Sequence, residues 1–375
     1  MKINADKFMD DNNDDNIFKI EDKKENIYDA SFYSLKIALK AYYATYHSVK
    51  DSLDDIDCTE KISIDARVIK AVNNTNEELE EDCSEYIENY MNIAIHLQHF
   101  FELEIKKLLE NTQKMLSLNI KNDPILLYKI LANGTELNET DYSKCKTVEF
   151  MEALTRLKKL NKEGIITDEL ANLFCDNECE LRLINNMRNM ALHKGIKIIK
   201  YCALDELMTQ NILPIIRDIL AIKRYEYYKE MFNSIDGINV IEQLIQAGKR
   251  NPIDYGEIAL FKEFGRTSGL KRLTDHKYHD KQELIYDEIE KYYKIFSGTP
   301  IENAKVKCPC CKNNSLINIF DVVDSYYEDE MPTLVHGHTK IKCVACNFSI
   351  NRFIKTNEYS NLKIPIQWEE GIIEL

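Results

Sequence analysis

Residues 77–115 read EELEEDCSEYIENYMNIAIHLQHFFELEIKKLLENTQKM, and this stretch decides how the rest of the chain is interpreted. Apolar side chains recur in it at steps of three and four residues, which is the spacing of one face of an α-helix. The positions that share this face are Tyr86, Tyr90, Ile93, Leu97, Phe100, Phe101, Ile105, Leu108 and Leu109. We therefore predict one long helix here, within a mainly α-helical protein.

Shorter stretches on both sides have the same helical spacing of apolar residues. We expect Ser31 to cap the first helix of the chain, and Pro214 to kink or restart a later one, because proline cannot donate a backbone hydrogen bond. Gly195 is expected to end the helix that precedes it. The further helices are predicted over 31–49, 125–131, 148–160, 168–193, 204–230 and 281–296.

Shifts in composition divide the chain into five segments. Residues 1–25 are rich in Asp and Asn and are predicted to form a disordered acidic tail. An N-terminal helical segment over 26–76 is followed by a helical domain over 77–230. Glycines recur in residues 231–300, so this segment is interpreted as a helical connector. Residues 301–375 form a cysteine-rich C-terminal domain.

The overall composition is that of a globular chain with an excess of acidic residues. The 375 residues are 44% hydrophobic and carry a formal net charge of −14. An acidic chain is unsuited to broad, nonspecific nucleic-acid binding, because affinity for phosphates comes mainly from Lys and Arg. The N-terminus lacks the basic start of a signal peptide, and the apolar runs are too short to span a bilayer. We therefore predict a cytoplasmic protein without membrane partners.

Four of the eleven cysteines form two Cys-x-x-Cys pairs, Cys308 with Cys311 and Cys343 with Cys346. Two intervening residues let a tight turn present both thiolates to one ion, and four thiolates satisfy a tetrahedral zinc ion. A redox role would need a thioredoxin-like βαβ context, which the surrounding sequence lacks. We therefore predict a small C-terminal β zinc ribbon, in which Zn²⁺ is structural and no cofactor serves catalysis.

The ribbon is expected to contain a β-hairpin formed by residues 315–323 and 339–344, because apolar and polar residues alternate there. Asn313–Asn314 and Asn347 favour the turns that follow the two cysteine pairs. The pairs are separated by 31 residues, more than is usual for a ribbon. We assign the excess to an acidic excursion over 324–330.

The other cysteines are interpreted without a metal. Cys310 breaks the spacing of the first pair and is expected to be a bystander. His336 and His338 are alternative ligands, although strand alternation explains them equally well. The six remaining cysteines are expected to be buried thiols and not disulfides, because the chain is predicted to be cytoplasmic. Cys175 and Cys179 lie four residues apart on a predicted helix and are assigned to core packing.

A stretch without acidic residues lies between Leu181 and Leu204. Its basic residues are Arg182, Arg188, Lys194, Lys197 and Lys200. In an acidic chain, such a stretch indicates a localised site for an anionic ligand. Chance clustering in a lysine-rich sequence is the alternative.

Arg188 is out of place on its predicted helix, because its side chain projects among apolar residues. The polar side of the helix carries Arg182, Asn185, Asn186, Asn189 and His193. A guanidinium in an apolar setting needs a partner, whether a carboxylate, a helix end, a neighbouring subunit or a phosphate. In the alternative, purely structural interpretation, Arg188 binds a packing carboxylate and His193 favours the helix C-terminus electrostatically.

The segment NNMRNMALHKG, residues 185–195, resembles the signature of the HEPN superfamily, an Arg usually followed by a polar residue, with a His further along the helix. Arg188, Asn189 and His193 match this signature. The helix over 77–115 is similar to the first family helix, and the later helices fit the rest of its bundle. The resemblance implies a HEPN-like helical domain over 77–230. Many family members are ribonucleases of toxin–antitoxin, abortive-infection and CRISPR systems, while others are inactive or only bind.

The resemblance implies a metal-independent endoribonuclease in which Arg188, Asn189 and His193 are catalytic. His193 would transfer protons, Arg188 would stabilise the charge on a phosphorane-like transition state, and Asn189 would orient the ring or the phosphate. One Arg and one His are half of what in-line attack uses, so we predict a homodimer with a shared cleft. The expected RNA-binding residues are Arg182, Asn185, Lys194 and Lys197.

Family tendencies indicate a toxin or anti-phage defence effector, whose partners would be RNA and a regulatory protein or antitoxin. The alternative class is a non-catalytic nucleic-acid-binding or adaptor protein with a structural zinc ribbon. A zinc hydrolase is disfavoured, because the sequence lacks a His-Glu-x-x-His pattern.

Overall fold

The described part of the chain is mostly α-helical, as the spacing of apolar residues predicts. The expected tail over 1–25 and the helices expected over 125–131 and 281–296 lie outside it. The computed structural model describes residues 29–50, 53, 68–70, 77–119, 145–193, 197–232, 238–278, 306–328, 331–351, 353 and 354.

The described helices are numbered here in chain order. They are α1 (Ala30–Val49), α2 (Glu77–Thr112), α3 (Phe150–Lys162), α4 (Glu169–Asp176), α5 (Glu178–His193), α6 (Tyr201–Leu207), α7 (Leu213–Ala221), α8 (Glu226–Phe232), α9 (Val240–Gly248) and α10 (Tyr255–Tyr278). A π-helical turn, Met208–Ile212, joins α6 to α7. None of these helices combines the length and the apolarity that crossing a membrane requires.

Helix α2 is the central helix of the helical part. The prediction of a long helix here is confirmed. All nine apolar residues predicted to share one face are buried. Helices α1, α3 and α5 pack against α2, and α10 packs against α1. Burying large side chains such as Phe100 and Phe101 stabilises this arrangement by roughly 1.5–3 kcal/mol per side chain.

Three helix predictions differ from the structure. The helix expected over 204–230 begins at Tyr201 and is interrupted at Ile222, where the backbone is extended. Asp29 caps α1 in place of Ser31, because its carboxylate accepts the Ser31 N–H at 2.9 Å. The single helix expected over 168–193 is divided into α4 and α5. The chain leaves helical geometry at Asn177, whose backbone N–H still donates to the Leu173 carbonyl.

Proline and glycine act differently in the later helices. Pro214 stands in the first turn of α7, directly after the π-helical turn, at the place where the sequence predicts a kink or a restart. Helix α10 runs through glycines where the sequence predicts interruptions. Gly265 has a packing reason to lack a side chain, since a Cβ there would lie 2.8 Å from Cδ2 of the Tyr43 ring. Glycine at this position lets α1 and α10 approach closely.

The described strands form two antiparallel sheets. They are β1 (Val68–Lys70), β2 (Lys197–Ile199), β3 (Val306–Lys307), β4 (Asn314–Glu328), β5 (Met331–Cys343) and β6 (Ser349–Asn351). Strand β1 pairs with β2, and the C-terminal sheet has the order β3-β4-β5-β6. The predicted hairpin is confirmed and is longer than expected, because β4 and β5 remain paired as far as Glu328 and Met331. Residues 324–328 therefore continue a strand and do not form an excursion.

A fully buried ion pair joins α6 to α10. Lys262 Nζ donates to Asp205 Oδ1 at 2.7 Å, and both side chains are 0% exposed. The ammonium lies 4.0 Å from the centroid of the Tyr201 ring and 4.9 Å from that of Tyr42. Burial lowers the pKa of Lys262 to about 8, although the charge of Asp205 opposes this shift. Each of the two buried side chains therefore needs the opposite charge of the other to remain ionised.

We predict that Lys262→Met destabilises the protein by about 3–5 kcal/mol, because it leaves the Asp205 carboxylate buried without a cation. The double variant Asp205→Asn/Lys262→Met should recover most of this loss, since no unpaired charge remains. Urea unfolding followed by circular dichroism measures both changes. Lys249→Met, at an exposed lysine, is the control and should stay within about 0.5 kcal/mol of the parent. Equal losses in the single and double variants would contradict this account of the pair.

Candidate functional site

The two Cys-x-x-Cys pairs converge on one point of the C-terminal sheet. The Sγ atoms of Cys308, Cys311, Cys343 and Cys346 all lie within 4.8 Å of one another. The sulfurs of Cys308 and Cys346 are 3.6 Å apart, and so are those of Cys311 and Cys343. Four sulfurs placed tetrahedrally, each about 2.3 Å from a zinc ion, would be about 3.8 Å apart. The cluster therefore fits a single metal ion.

The backbone after each pair makes the same turn. The N–H of Lys312 donates to the Cys308 carbonyl at 3.0 Å, and the N–H of Asn347 donates to the Cys343 carbonyl at 2.9 Å. Both donors have left-handed backbones, with φ of 60° and 59°. Asparagine tolerates this conformation better than most residues. The turn prediction is thus confirmed for Asn347, whereas in the first pair the left-handed residue is Lys312 and not Asn313–Asn314.

Hydrogen-bond donors and crowding both favour a bound cation. The backbone N–H of Cys310 points at Cys308 Sγ and that of Cys346 at Cys343 Sγ, each at 3.4 Å. Such donors orient and support thiolate ligands. Hydrogen bonds with the other three thiols of the cluster, followed by burial, raise the pKa of Cys346. Four thiolates at this spacing would repel one another, and a bound metal ion would balance their charge.

Cys310 lies outside the cluster, as the spacing predicts. Its side chain is buried, and its sulfur accepts a hydrogen bond from Thr267 Oγ1 of α10 at 3.2 Å. The additional cysteine therefore packs the sheet against a helix. His336 and His338 lie on β5, but their side chains are outside the described part of the structure.

A buried polar seam between the sheet and the helices was not anticipated from the sequence. Glu263 of α10 accepts hydrogen bonds from Nε and Nη2 of Arg266 and from the Ser349 backbone, each at 2.7 Å. Burial alone would raise the pKa of Glu263, but hydrogen bonds with Arg266 and His47 outweigh it and hold the pKa below its ordinary value. The available signal was a pair of charged residues inside the apolar run IALFKEF, residues 258–264.

Helix α5 carries the arginine–histidine motif. Arg188 flanks the buried side of the helix and is itself partly buried. Its Nη1 donates to Oδ1 of Asn189 at 3.1 Å, so two residues of the motif contact each other. The fully or almost fully buried residues of α5 are Leu181, Ile184, Met187 and Ala191.

Arg182 has an acidic partner just outside the acid-free stretch. Its Nη2 lies 2.6 Å from Oε1 of Glu178, one turn earlier on α5, and Lys158 of α3 binds the same carboxylate. Hydrogen bonds from Lys158 and Arg182 lower the pKa of Glu178. The Arg182 side chain is exposed, and Glu178 partly neutralises its positive charge.

The remaining expected site residues are placed only in part. Asn185 is partly buried on α5, and the backbone of His193 is the last residue of that helix. Lys197 pairs with Lys70 where β2 meets β1. The side chains of His193 and Lys197, and the whole of Lys194, lie outside the described part of the structure.

Two expectations about the other cysteines need correction. Cys202 is disulfide-bonded, whereas the predicted cytoplasmic location indicates a thiol. Cys179 is exposed, so core packing does not explain it. Cys175 is a partly buried free thiol, and burial raises its pKa.

The chain matches no protein-family model, no curated protein and no solved structure. The comparisons therefore give no support to the resemblance to the HEPN superfamily, which rests on the sequence of residues 77–230.

We predict that Cys343→Ser reduces the bound metal from one ion per chain to well below half, because three thiolates hold a tetrahedral ion much less tightly than four. Elemental analysis of the purified chain, combined with thiol counting, measures this. Cys310→Ser is the matched control and should keep its full metal content, since Cys310 lies outside the cluster. Full metal content in Cys343→Ser would show that the four sulfurs are not the ligands.

Proposed function

We propose that the chain is a metal-independent endoribonuclease whose catalytic residues are Arg188, Asn189 and His193. The supporting observation is the hydrogen bond between Arg188 and Asn189 on the helix that ends at His193. Electrostatic catalysis depends on charges that are held in place before the reaction begins. The Asn189 amide, four residues before the His193 imidazole along the helix, would hold the Arg188 guanidinium in place before the reaction.

The reaction would use the nucleophile that RNA itself carries. His193 would remove the proton from a 2′-OH, and the 2′-oxygen would attack the adjacent phosphorus as the bond to the 5′-oxygen breaks. Arg188 would stabilise the negative charge that accumulates on the phosphoryl oxygens. The 5′-oxygen would receive a proton, which leaves a 2′,3′-cyclic phosphate and a 5′-hydroxyl. Asn189 would keep the guanidinium aligned.

A homodimer would supply the second half of this chemistry. In-line attack uses a base on one side of the phosphorus and an acid on the other, and one motif provides a single imidazole. Two copies of α5 facing each other would place a His193 on each side. The partly buried Arg188 would then lie next to its counterpart in the partner subunit.

The metal of the cysteine cluster is proposed to be a structural Zn²⁺. Four thiolates are the usual ligand set of structural zinc sites, and they fill all tetrahedral positions. Cys308, Cys311, Cys343 and Cys346 would hold the ion. It would fix the two turns of the sheet and would leave no position for a reacting water.

In a biological setting, such an enzyme would act as a toxin or an anti-phage effector in the cytoplasm, held in check by a regulatory protein or antitoxin. The alternative is a non-catalytic nucleic-acid-binding or adaptor protein. Glu178 offsets the charge of Arg182, an expected RNA contact, so this ion pair weakens RNA binding under either function.

Incubating the purified chain with total RNA, in buffer without divalent cations, tests the proposal. We expect fragments that end in a 2′,3′-cyclic phosphate. Arg188→Ala and His193→Ala should each slow cleavage by about a hundredfold or more. Arg217→Ala, at an arginine paired with Asp218 on α7, is the control and should cleave at the parental rate.

The pattern across the variants separates the two functions. Intact RNA that the parent chain nevertheless binds in a mobility-shift assay would support the adaptor. Cleavage that persists in both motif variants would point to a contaminating nuclease and would overturn the proposal.

A further inference from the structure

The chain that follows the second cysteine pair is tied to α10. Directly after Cys346, the Asn347 carbonyl accepts a hydrogen bond from Arg266 Nη2 at 2.5 Å. Two residues later, the Ser349 N–H donates to Oε1 of Glu263 at 2.7 Å. Glu263 and Arg266 lie one helical turn apart and also bind each other. These four residues, Glu263, Arg266, Asn347 and Ser349, are named the clamp.

Helix α1 holds the same segment from another direction. The Tyr46 hydroxyl donates to Oδ1 of Asn351 at 3.0 Å and accepts the Asn351 backbone N–H at 3.1 Å. The side-chain amide of Asn351 donates to the Lys50 carbonyl at the end of α1. Tyr46 and Asn351 are both buried. Residues 347–351 are therefore bonded to α10 and to α1, and Glu263, Ser349, Tyr46 and Asn351 are buried whereas Asn347 is exposed.

Because the Glu263 carboxylate is buried, its hydrogen bonds hold only while residues 347–351 keep their position. The Glu263 side chain is 0% exposed, and a buried carboxylate that loses a donor receives little compensation from solvent. The segment must therefore stay within hydrogen-bond distance of Glu263. Its path is set by the left-handed turn at Asn347, where φ is 59°. That turn is fixed when Cys343 and Cys346 bind one ion, because the ion closes the loop between them.

We infer that metal binding at the four cysteines controls how firmly α1 and α10 are held together. With the ion bound, the turn at Asn347 is fixed and the clamp is closed. Without the ion the turn relaxes, Glu263 loses the Ser349 donor, and Asn351 no longer holds Tyr46. A divalent cation that prefers thiolates is thus the regulating ligand. The inference rests on the proposed metal site and is independent of ribonuclease activity.

Hydrogen exchange of the full chain tests the inference directly. Removing the metal with a high-affinity chelator should accelerate amide exchange by about tenfold or more in α1 and in residues 255–267 of α10. Exchange in α3, which packs against α2 and α5, should change much less. Acceleration confined to residues 306–351 would overturn the inference while leaving the metal site intact.

Linkage supplies a second, reciprocal test. If the metal tightens the clamp and the contacts between Tyr46 and Asn351, then breaking either set of contacts must weaken metal binding. Transfer of Zn²⁺ to a chromogenic chelator measures the affinity. Tyr46→Phe removes two hydrogen bonds but keeps the ring, and it should weaken binding roughly two- to tenfold. Glu263→Gln should weaken it by about tenfold or more.

Tyr33→Phe is the matched control for Tyr46→Phe, because Tyr33 lies on the same helix and is 49% exposed. It should bind Zn²⁺ like the parent. Parental affinity in both Tyr46→Phe and Glu263→Gln would overturn the inference. Tyr46→Phe keeps the test decisive if Glu263→Gln does not fold. A parent chain that holds no metal by elemental analysis would overturn the metal site and the inference together.

Discussion

Two adjacent charged residues, Lys262 and Glu263, are buried in α10, and their need for partners organises the structure around that helix. A charge removed from water is tolerated only when an opposite charge or hydrogen bonds replace its hydration. Lys262 meets Asp205 of α6, whereas Glu263 meets Arg266 and the backbone of Ser349. Successive residues on a helix point about 100° apart, so the pair faces two different neighbours. Helix α10 is thereby fixed to the helical core and to the C-terminal sheet that carries the cysteine cluster.

The local part of the fold could be predicted from the sequence, and the long-range part could not. The apolar spacing over 77–115 predicts α2 because a helix repeats its face within a few residues. Asp205 lies 57 residues from Lys262 and Ser349 lies 86 residues from Glu263, and no spacing rule connects either pair. The role of Gly265 could not be predicted either, because it depends on contact with the Tyr43 ring of another helix. Charges inside an apolar run indicate that partners exist without identifying them.

In the candidate sites, too, local contacts could be predicted from the sequence and long-range contacts could not. Each Cys-x-x-Cys pair is a local turn, so its ligands could be recognised, and the pairing of β4 with β5 brings the two turns together over the long separation. The contact between Arg188 and Asn189 is local as well. The pairing of Arg182 with Glu178 was also accessible, since oppositely charged residues four apart on a helix interact. The contribution of Lys158 was not, because α3 approaches α5 only in the folded chain.

Helix α1, which contacts the C-terminal sheet, and the arginine–histidine helix α5 both pack against α2. Aromatic contacts cross this core in sequence: Phe32 of α1 meets Phe100 at 5.5 Å between ring centroids, Phe100 meets Phe101 at 5.0 Å, and Phe101 meets Phe174 of α4 at 5.9 Å. Close-packed interiors move between discrete arrangements and do not deform gradually. Loosening of α1 would therefore stay local until these rings repack.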